Sequence, residues 1–170
     1  MKDPLFKLNN TQLPYIEEAK YLGVYIYKDG TDRDVKRQIK KLYPNINMLL
    51  RQFHYCSYDV KCHLFKTFCS SMYCCPFWFK STNNQLNKLR VCYNNSLRRL
   101  LGLPSWNSAS EMFVNLNIPS FGEILRKSIY CFMNRISKCN RNSLITGIVN
   151  SSIPLVSRMW KWWHKLLHAN

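Results

Sequence analysis

The chain has 170 residues, 46% of them hydrophobic, with seven prolines and five glycines, which is enough to bury the core of one domain. Its formal net charge of +16 is concentrated after residue 59, where fifteen basic side chains accompany only two acidic ones, Glu111 and Glu123. The hydrophobic content argues against disorder, and the charge balance indicates a polyanionic partner, either nucleic acid or an anionic membrane surface.

The cysteines and apolar stretches exclude several other classes of protein. The chain opens Met-Lys-Asp-Pro, without the apolar stretch of a signal peptide, so we expect reduced thiols and an intracellular location, nuclear or cytoplasmic. No Cys-x2-Cys pair occurs, and the nearest groupings, Cys74-Cys75 and His164-x3-His168, do not indicate a zinc site. The longest uncharged stretches, Thr67 to Phe79 and Asn142 to Ser157, are shorter than the roughly 20 residues that cross a bilayer.

The first thirty residues have the pattern of β structure. Two short extended runs, Leu5 to Leu8 and Gln12 to Ile16, flank an Asn-rich turn, and Pro14 predicts an edge or a bulge for the second run. The stretch AKYLGVYIYKDG, residues 19–30, predicts one further strand that ends at its Asp-Gly pair.

Helical periodicity begins at Asp32 and predicts a helix to Phe53. Its apolar stripe recurs every three or four residues and comprises Val35, Ile39, Leu42, Ile46, Leu49 and Phe53. The opposite side carries Lys36, Arg37 and Lys40, with Lys41 at its margin. Pro44 predicts a kink or a split in this helix.

Two more helices are predicted before residue 104. The first begins after Ser57, runs to about Cys75, and is apolar around more than half of its circumference, so we expect it to be central and buried. The second spans Asn84 to Leu101 and ends at Gly102 and Pro104. Side chains turned away from its apolar face include Lys88, Asn95, Arg98 and Arg99.

Capping boxes at Ser108 to Glu111 and Ser120 to Glu123 announce two further helices. Residues 140–152, rich in Ser and Asn, are the segment least expected to be ordered. An amphipathic, cationic helix follows at Pro154 to Leu167. The predicted fold is therefore mainly α: a β segment at 1–30, a three-helix bundle at 31–104, additional helices at 105–142, and a linker with a basic, Trp-rich helix at 143–170.

Catalytic motifs are absent from the sequence. Only nine carboxylates are present, and seven lie before residue 60 in positions that suit surfaces and helix starts. There is no Gly-rich phosphate loop and no nucleophile elbow. The residues themselves therefore indicate no enzyme active site.

An ordered series of short motifs resembles a known family. Leu-Pro-Tyr-Ile, Lys-Tyr-Leu-Gly-Val, Leu-Arg-Arg-Leu-Leu-Gly-Leu-Pro, Ser-Ala-Ser-Glu-Met and Leu-x-Ile-Pro-Ser follow one another over residues 12–137. The series resembles the C-terminal part, the end of the palm and the thumb, of a non-LTR, LINE-type, jockey-like retrotransposon reverse transcriptase. The resemblance implies a thumb-like helical bundle and an RNA or RNA–DNA duplex partner.

The resemblance also implies roles for particular residues. Tyr21, Leu22 and Gly23 lie in the motif that supports the primer's 3′ end in that family. The basic faces of the thumb helices would contact backbone phosphates. Those basic candidates are Lys36, Arg37, Lys40, Lys41, Lys88, Arg98 and Arg99.

The chain departs from the family at the catalytic metal. The family's Asp-Asp motif, which holds Mg²⁺, lies upstream of the Tyr-Leu-Gly motif, and the first eighteen residues of this sequence, up to Glu18, contain no such pair. We therefore expect a truncated or downstream fragment that binds no cofactor and does not polymerise by itself.

Two interpretations compete with phosphate binding. The basic helix faces could be solvated and bind nothing. Alternatively, Trp160, Trp162 and Trp163 beside basic residues are also typical of a helix that contacts a membrane surface or another protein. A helix docked on the core by these aromatic side chains is the interpretation we favour for that segment.

Overall fold

Two compact units divide the chain, Met1–Gly30 and Thr31–Asn170. The computed structural model describes residues 6–21, 24–27, 31–139, 142–149 and 154–168. The first unit contains four short strands and the second is helical, which confirms the predicted mainly α fold with an N-terminal β segment. The finer division of the helical part at residues 104 and 142 stays a prediction.

The first hairpin pairs strand β1 (Lys7–Leu8) with strand β2 (Thr11–Gln12) in antiparallel register. Asn9 and Asn10 between them have φ of 49° and 64°. A two-residue hairpin turn with both φ values positive requires residues such as Asn or Gly that tolerate this conformation. The two extended runs around an Asn turn are thus confirmed, and the pairing ends before Pro14.

The second hairpin corrects the prediction of one continuous strand. Strand β3 (Glu18–Tyr21) turns back on strand β4 (Val24–Tyr27), with Glu18 opposite Tyr27 and Tyr21 opposite Val24. Leu22 and Gly23, which separate the strands, lie outside the described residues. The sequence prediction missed the reversal because no Asn-Gly or Asp-Gly pair interrupts the apolar run there.

Helix α1 (Asp32–Gln52) confirms the prediction for this segment almost to the residue. Val35, Leu42, Ile46 and Leu49 are buried along its stripe. The helix is not split at Pro44. Pro44 and Lys40, whose carbonyl loses its intrahelical donor, both lie on the exposed side, where water can satisfy that carbonyl.

Helix α2 (Tyr58–Cys69) is shorter and less buried than predicted. Only Cys62, Phe65 and Cys69 are buried, while Val60 and Phe68 are each 44% exposed. The chain leaves the helix at Ser70 and passes through a left-handed residue, Cys74, with φ of 60°. The prediction of a central, buried helix that reaches Cys75 is therefore wrong.

A short 3₁₀ helix (Cys75–Lys80) replaces the predicted end of α2, and Met72, Cys75 and Trp78 reach the core from this connecting segment. Burial raises the pKa of the Cys69 thiol to about 12 and that of Cys75 to about 11, so both stay protonated at neutral pH. All eight cysteines are free. The interpretation of the buried cysteines as small hydrophobic side chains is confirmed.

Helix α3 (Asn83–Leu101) has clear signals at both ends. The Thr82 hydroxyl accepts a hydrogen bond from the Gln85 amide at 3.4 Å, and Gly102 ends the helix with φ of 67°. Its buried face contains the predicted apolar residues, together with Cys92 and Ser96. The residues are Leu89, Cys92, Tyr93, Ser96, Leu97, Leu100 and Leu101.

Helices α4 (Ala109–Asn115) and α5 (Phe121–Ser137) begin at the two predicted caps. At α5 the capping box is complete: Ser120 N–H donates to the Glu123 carboxylate at 2.6 Å, and Glu123 N–H donates to the Ser120 hydroxyl at 3.3 Å. At α4 the described bond is the one from Glu111 N–H to the Ser108 hydroxyl, at 3.5 Å.

The C-terminal segment is more regular than predicted. Helix α6 (Ser143–Val149) lies within the segment that we expected to be unordered, and the Asn142 side chain accepts from Ile145 N–H at its start. Helix α7 (Pro154–Leu167) has the predicted bounds. Trp163 on α7 is fully buried and donates its indole N–H to the Pro76 carbonyl at 2.8 Å, so α7 is docked by its aromatic side.

A buried hydrogen bond joins α1 to the 3₁₀ helix. Trp78 is fully buried, and its indole N–H donates to the carboxylate of Asp34, itself buried, at 2.8 Å. Two residues earlier, Asp32 accepts from the backbone N–H and hydroxyl of Thr82, the N-cap of α3. The first turn of α1 thereby fixes where α3 begins. Among the described residues, every buried side-chain nitrogen and oxygen has a partner.

Trp78→Phe is expected to lower the free energy of unfolding by roughly 2–4 kcal/mol, because it removes volume from the core and leaves the buried Asp34 carboxylate without its indole donor. Chemical denaturation followed by circular dichroism measures the change. Trp106→Phe is the matched control, since Trp106 is 82% exposed and its loss should shift stability by less than about 0.5 kcal/mol. Equal effects of the two variants would contradict the assignment.

The capping box of α5 predicts a pH dependence. Hydrogen bonds from the Ser120 backbone and side chain hold the pKa of Glu123 below its usual 4.5. Since the folded-state pKa is the lower one, the carboxylate stabilises the fold above the unfolded-state pKa, and this contribution is lost as pH falls through the folded value. The Tm of the wild type should exceed that of Glu123→Gln at pH 7, and the gap should close as pH drops below 4.5. A gap that stays constant down to pH 3 would refute this linkage.

Candidate nucleic-acid interface

A shallow groove of about 490 Å³ runs between α1 and α3. Its floor is formed by apolar and small side chains, and its walls by amide and basic ones. No Asp or Glu is among the residues that line it. These residues are Ile39, Tyr43, Ile46, Asn84, Asn87, Lys88, Val91, Cys92, Asn95, Ser96 and Arg99.

On α1, the groove side follows directly from the helical repeat. Ile39 and Tyr43 line the groove. Lys36 lies three residues before Ile39, and Lys40 lies three residues before Tyr43, so both lysines lie beside the groove lining on this helix. Both lysines are exposed, and neither has a hydrogen bond or ion pair within the described residues. They place two unpaired positive charges along one rim.

On α3, a polar stripe faces the same groove. Asn84, Asn87, Lys88, Asn95 and Arg99 are all exposed and recur at spacings of three, four and seven residues. The sequence analysis identified Lys88 and Arg99 but missed the asparagines as site residues. These asparagines recur at helical spacing on the same side as Lys88, and this pattern could have identified them as site residues.

The floor of the groove is held by contacts between the two helices. The Tyr43 hydroxyl is hydrogen-bonded to the Cys92 thiol, and this neighbour raises the pKa of Tyr43 above its ordinary value. Burial is the main cause that raises the pKa of Cys92, although hydrogen bonds to Tyr43 and Ser96 oppose it. At neutral pH the floor is therefore uncharged, and the charge of the groove lies on its rims.

Two other predicted cations of α1 have different surroundings. Arg37 is partly buried, and its guanidinium lies 3.8 Å from the Asp34 carboxylate. Lys41 is exposed, but its helical position lies about 140° round from Lys36, away from the groove. By helical position, Lys36 and Lys40 therefore lie beside the groove lining, while Arg37 and Lys41 lie farther round the helix.

Arg98 makes structural hydrogen bonds that the sequence analysis did not predict. Its guanidinium donates twice to the Asn107 carbonyl, at 3.2 and 2.8 Å, and once to the Asn95 side chain at 2.8 Å. These bonds tie the end of α3 to the following loop. Its neighbour Arg99 has no hydrogen bond or ion pair within the described residues.

The residues predicted at the primer end lie in the N-terminal unit. Tyr21 ends strand β3 and pairs with Val24. Leu22 and Gly23 lie outside the described residues, so the prediction for these two positions stays a prediction.

The described residues contain neither a helix that could span a membrane nor a group of side chains that could hold a metal ion. No helix within the described residues is long and apolar enough to span a bilayer. On α7, Trp163 is fully buried, and Trp160 and Trp162 are half-buried, so much of the apolar area of these side chains is buried within the protein. Among the described residues, no three His, Cys, Asp or Glu side chains are grouped closely enough to hold a metal ion.

Comparison with known proteins gives a distant relationship. The chain is 24% identical over 147 residues to the RNA-directed DNA polymerase from mobile element jockey of Drosophila funebris, an alignment that covers 83% of this chain and 16% of that protein. The chain is related to a retrotransposon reverse transcriptase. It spans about 16% of the length of this relative. No protein-family model matches the chain, and no solved structure matches it.

The chemistry of the described residues predicts no polymerase activity for this chain alone. Two-metal nucleotide transfer needs grouped carboxylates, and the described residues contain no such group. Incubation with a primed RNA template, deoxynucleotides and Mg²⁺ or Mn²⁺ should give no primer extension. Templated incorporation above that of heat-inactivated protein would overturn this expectation.

Proposed function

We propose that this chain is the duplex-holding part of a retrotransposon reverse transcriptase. In this proposal the helical unit corresponds to the thumb, and it binds a template–primer or RNA duplex through backbone phosphates in the α1–α3 groove. The N-terminal hairpins correspond to the edge of the palm, with Tyr21, Leu22 and Gly23 near the primer's 3′ end. The observation that carries the proposal is a groove whose lining contains Lys88 and Arg99 and no carboxylate, with the exposed Lys36 and Lys40 beside it on α1.

The two rims suit two different kinds of backbone contact. Lys36 and Lys40 on α1 carry their charges on flexible side chains. Such side chains can contact phosphates at several positions along a backbone. The α3 stripe adds amide donors, which bond phosphate and sugar oxygens in many nucleic-acid complexes. The proposed contacts are made to the backbone, which carries no sequence information directly, so binding should tolerate any sequence.

The net charge supports the same proposal. The chain has a net charge of +16. When its cationic side chains neutralise phosphates, the counterions condensed on the nucleic acid are released, and this release supplies most of the affinity of sequence-independent binding. The membrane-surface alternative is weaker because the aromatic side chains of α7 pack inward. It would also need exposed apolar area beside the charges.

The described residues contain no candidate site for the metal of the polymerase reaction. Mg²⁺ requires carboxylate oxygens, and no described residues provide a grouped set of them. We propose that the carboxylates for catalysis belong to other parts of the longer polymerase. No chemical step is assigned to residues of this chain.

The groove predicts a specific salt dependence. Replacing Lys36, Lys40, Lys88 and Arg99 together by Gln should make the slope of log K against log salt less steep by up to roughly four units, since each phosphate contact contributes about 0.9. Filter binding or fluorescence anisotropy with an RNA–DNA hybrid, from 50 to 300 mM salt, measures it. Helix content should stay unchanged because these side chains are exposed.

A matched control separates the groove from overall charge. Arg135, Lys138, Arg158 and Lys161 are exposed, lie outside the groove, and lose the same charge when changed to Gln. This control variant should keep a slope close to that of the wild type. Equal changes in both variants would mean that only net charge matters, and no change in the groove variant would mean that the rims are solvated.

A further inference from the structure

The β1–β2 hairpin has one apolar face and one polar face. Side chains along a strand alternate between the two faces, and residues directly opposite each other on paired strands share a face. Leu8 therefore lies on the same face as Phe6, two residues earlier. Leu13 N–H donates to the Phe6 carbonyl at 2.9 Å, which continues the strand register and places Leu13 opposite Phe6 on this face. The other face carries Lys7 and Gln12, which are paired with each other.

The apolar face is exposed along its whole length. Phe6 is 62%, Leu8 63% and Leu13 46% exposed. Tyr15 is 58% exposed and lies two residues beyond Leu13, the interval that returns an extended chain to the same face. An isolated two-stranded hairpin is only marginally stable in water, and packing of its hydrophobic face is what makes such a unit stable. A contiguous apolar face of this kind therefore indicates an interaction surface.

The N-terminal unit differs from the rest of the chain in its charge. Residues 1–30 contain four basic and four acidic side chains, so the excess of sixteen positive charges belongs entirely to residues 31–170. A segment without net charge has no general attraction for a polyanion. For the same reason, it gains no electrostatic attraction from an anionic membrane. The chemistry of this face therefore fits an apolar protein surface as its partner.

We infer that the apolar hairpin face, formed by Phe6, Leu8, Leu13 and Tyr15, is a contact surface between two copies of this chain. Two such faces are chemically self-complementary, and a two-fold axis lets each copy cover the face of the other. Layers of β structure pack face to face about 10 Å apart, with their apolar side chains interdigitating. Because residues 1–30 carry no net charge, this contact brings no excess of positive charge into the interface.

The exposed area is sufficient for a weak dimer. From their exposed fractions, the four residues of the apolar hairpin face present roughly 500 Å² in each copy. Two copies would therefore bury roughly 1,000 Å², which is the lower limit for a specific protein interface. Repulsion between two chains of +16 each opposes their association, and dissolved salt screens that repulsion. The dimer should therefore depend on protein concentration and become tighter as the salt concentration rises.

Sedimentation velocity of the full chain, freed of nucleic acid by nuclease treatment, measures the association. Between about 1 and 200 μM protein the wild type should change from monomer to dimer, and the dimer should strengthen between about 0.15 and 0.5 M salt. Association bridged by residual nucleic acid has the opposite dependence, because salt weakens phosphate contacts. A chain that stays monomeric throughout, or whose association weakens with salt, would overturn the inference.

Two matched variants test the face itself. Phe6→Ser together with Leu13→Ser removes an opposite apolar pair without changing the charge, and it should weaken the dimer by roughly tenfold or more, because both copies lose apolar contact area. The control, Lys7→Arg with Gln12→Ser, alters the adjacent pair on the other face and also keeps the charge. It should dimerise like the wild type. An unchanged dimer in the first variant, or an equal loss in both, would contradict the inference.

A crosslink between copies provides a measurement that does not depend on the stability of the serine variant. Phe6 is replaced by the photoreactive analogue p-benzoylphenylalanine, and unlabelled and nitrogen-15-labelled chains are mixed before illumination. Crosslinked peptides that combine both labels come from two different copies, and mass spectrometry identifies them. These peptides should join position 6 to residues 6–15 of the second copy. Mixed-label crosslinks that reach only residues 31–170 would refute the face-to-face contact.

The inference does not rest on the proposed function. The groove variant, in which four basic side chains are changed to Gln, should dimerise at least as well as the wild type, because it loses charge that repels the second copy. A groove variant that can no longer dimerise would place the contact in the helical unit and overturn the inference. The duplex-binding proposal would then still be decided by its own salt dependence.

Discussion

The hydrogen bond between the Trp78 indole and the buried Asp34 carboxylate determines much of the helical unit. A carboxylate that leaves water without a partner is costly, so the donor must be present wherever Asp34 is buried. The bond fixes the 3₁₀ helix against the first turn of α1. From there, Thr82 binds Asp32 and starts α3, while Pro76 accepts from Trp163 and docks α7.

The α1–α3 groove is a consequence of this arrangement. Once α1 and α3 are anchored by their first turns, the helical repeat decides which side chains meet along their length. Tyr43 then reaches Cys92, and Ile39 and Tyr43 of α1 line one groove with the asparagines of α3. The candidate interface therefore depends on a buried contact made by residues that do not line it.

Local patterns predicted most of the helices. Periodic apolar residues, Ser108 and Ser120 as caps, and Gly102 as a stop each act within a few residues, and the structure confirms these signals. The failures concern contacts that no local pattern contains. Val60 and Phe68 look like core residues by composition but lie on the exposed side of α2, and the hairpin at Tyr21 and Val24 lacks a turn signal.

The residues of the candidate site also divide into those that local patterns identify and those that depend on tertiary contacts. Lys88 and Arg99 could be identified from their exposure on an amphipathic helix. The engagement of Arg98 with Asn107 could not, because it depends on the path of the loop after Gly102. Likewise, Arg37 and Lys36 are neighbours in sequence, yet only the structure separates the cation beside Asp34 from the one beside the groove.

The distribution of charge described above also has a thermodynamic consequence. After Glu123, no acidic side chain remains to neutralise the basic ones of α5 and α7, so packing in this region must overcome electrostatic self-repulsion. A polyanion bound to the folded chain lowers the net charge of the complex and so weakens that repulsion. Nucleic acid that binds the folded chain in preference to the unfolded one would then raise its free energy of unfolding, and the rise would grow with the concentration of nucleic acid.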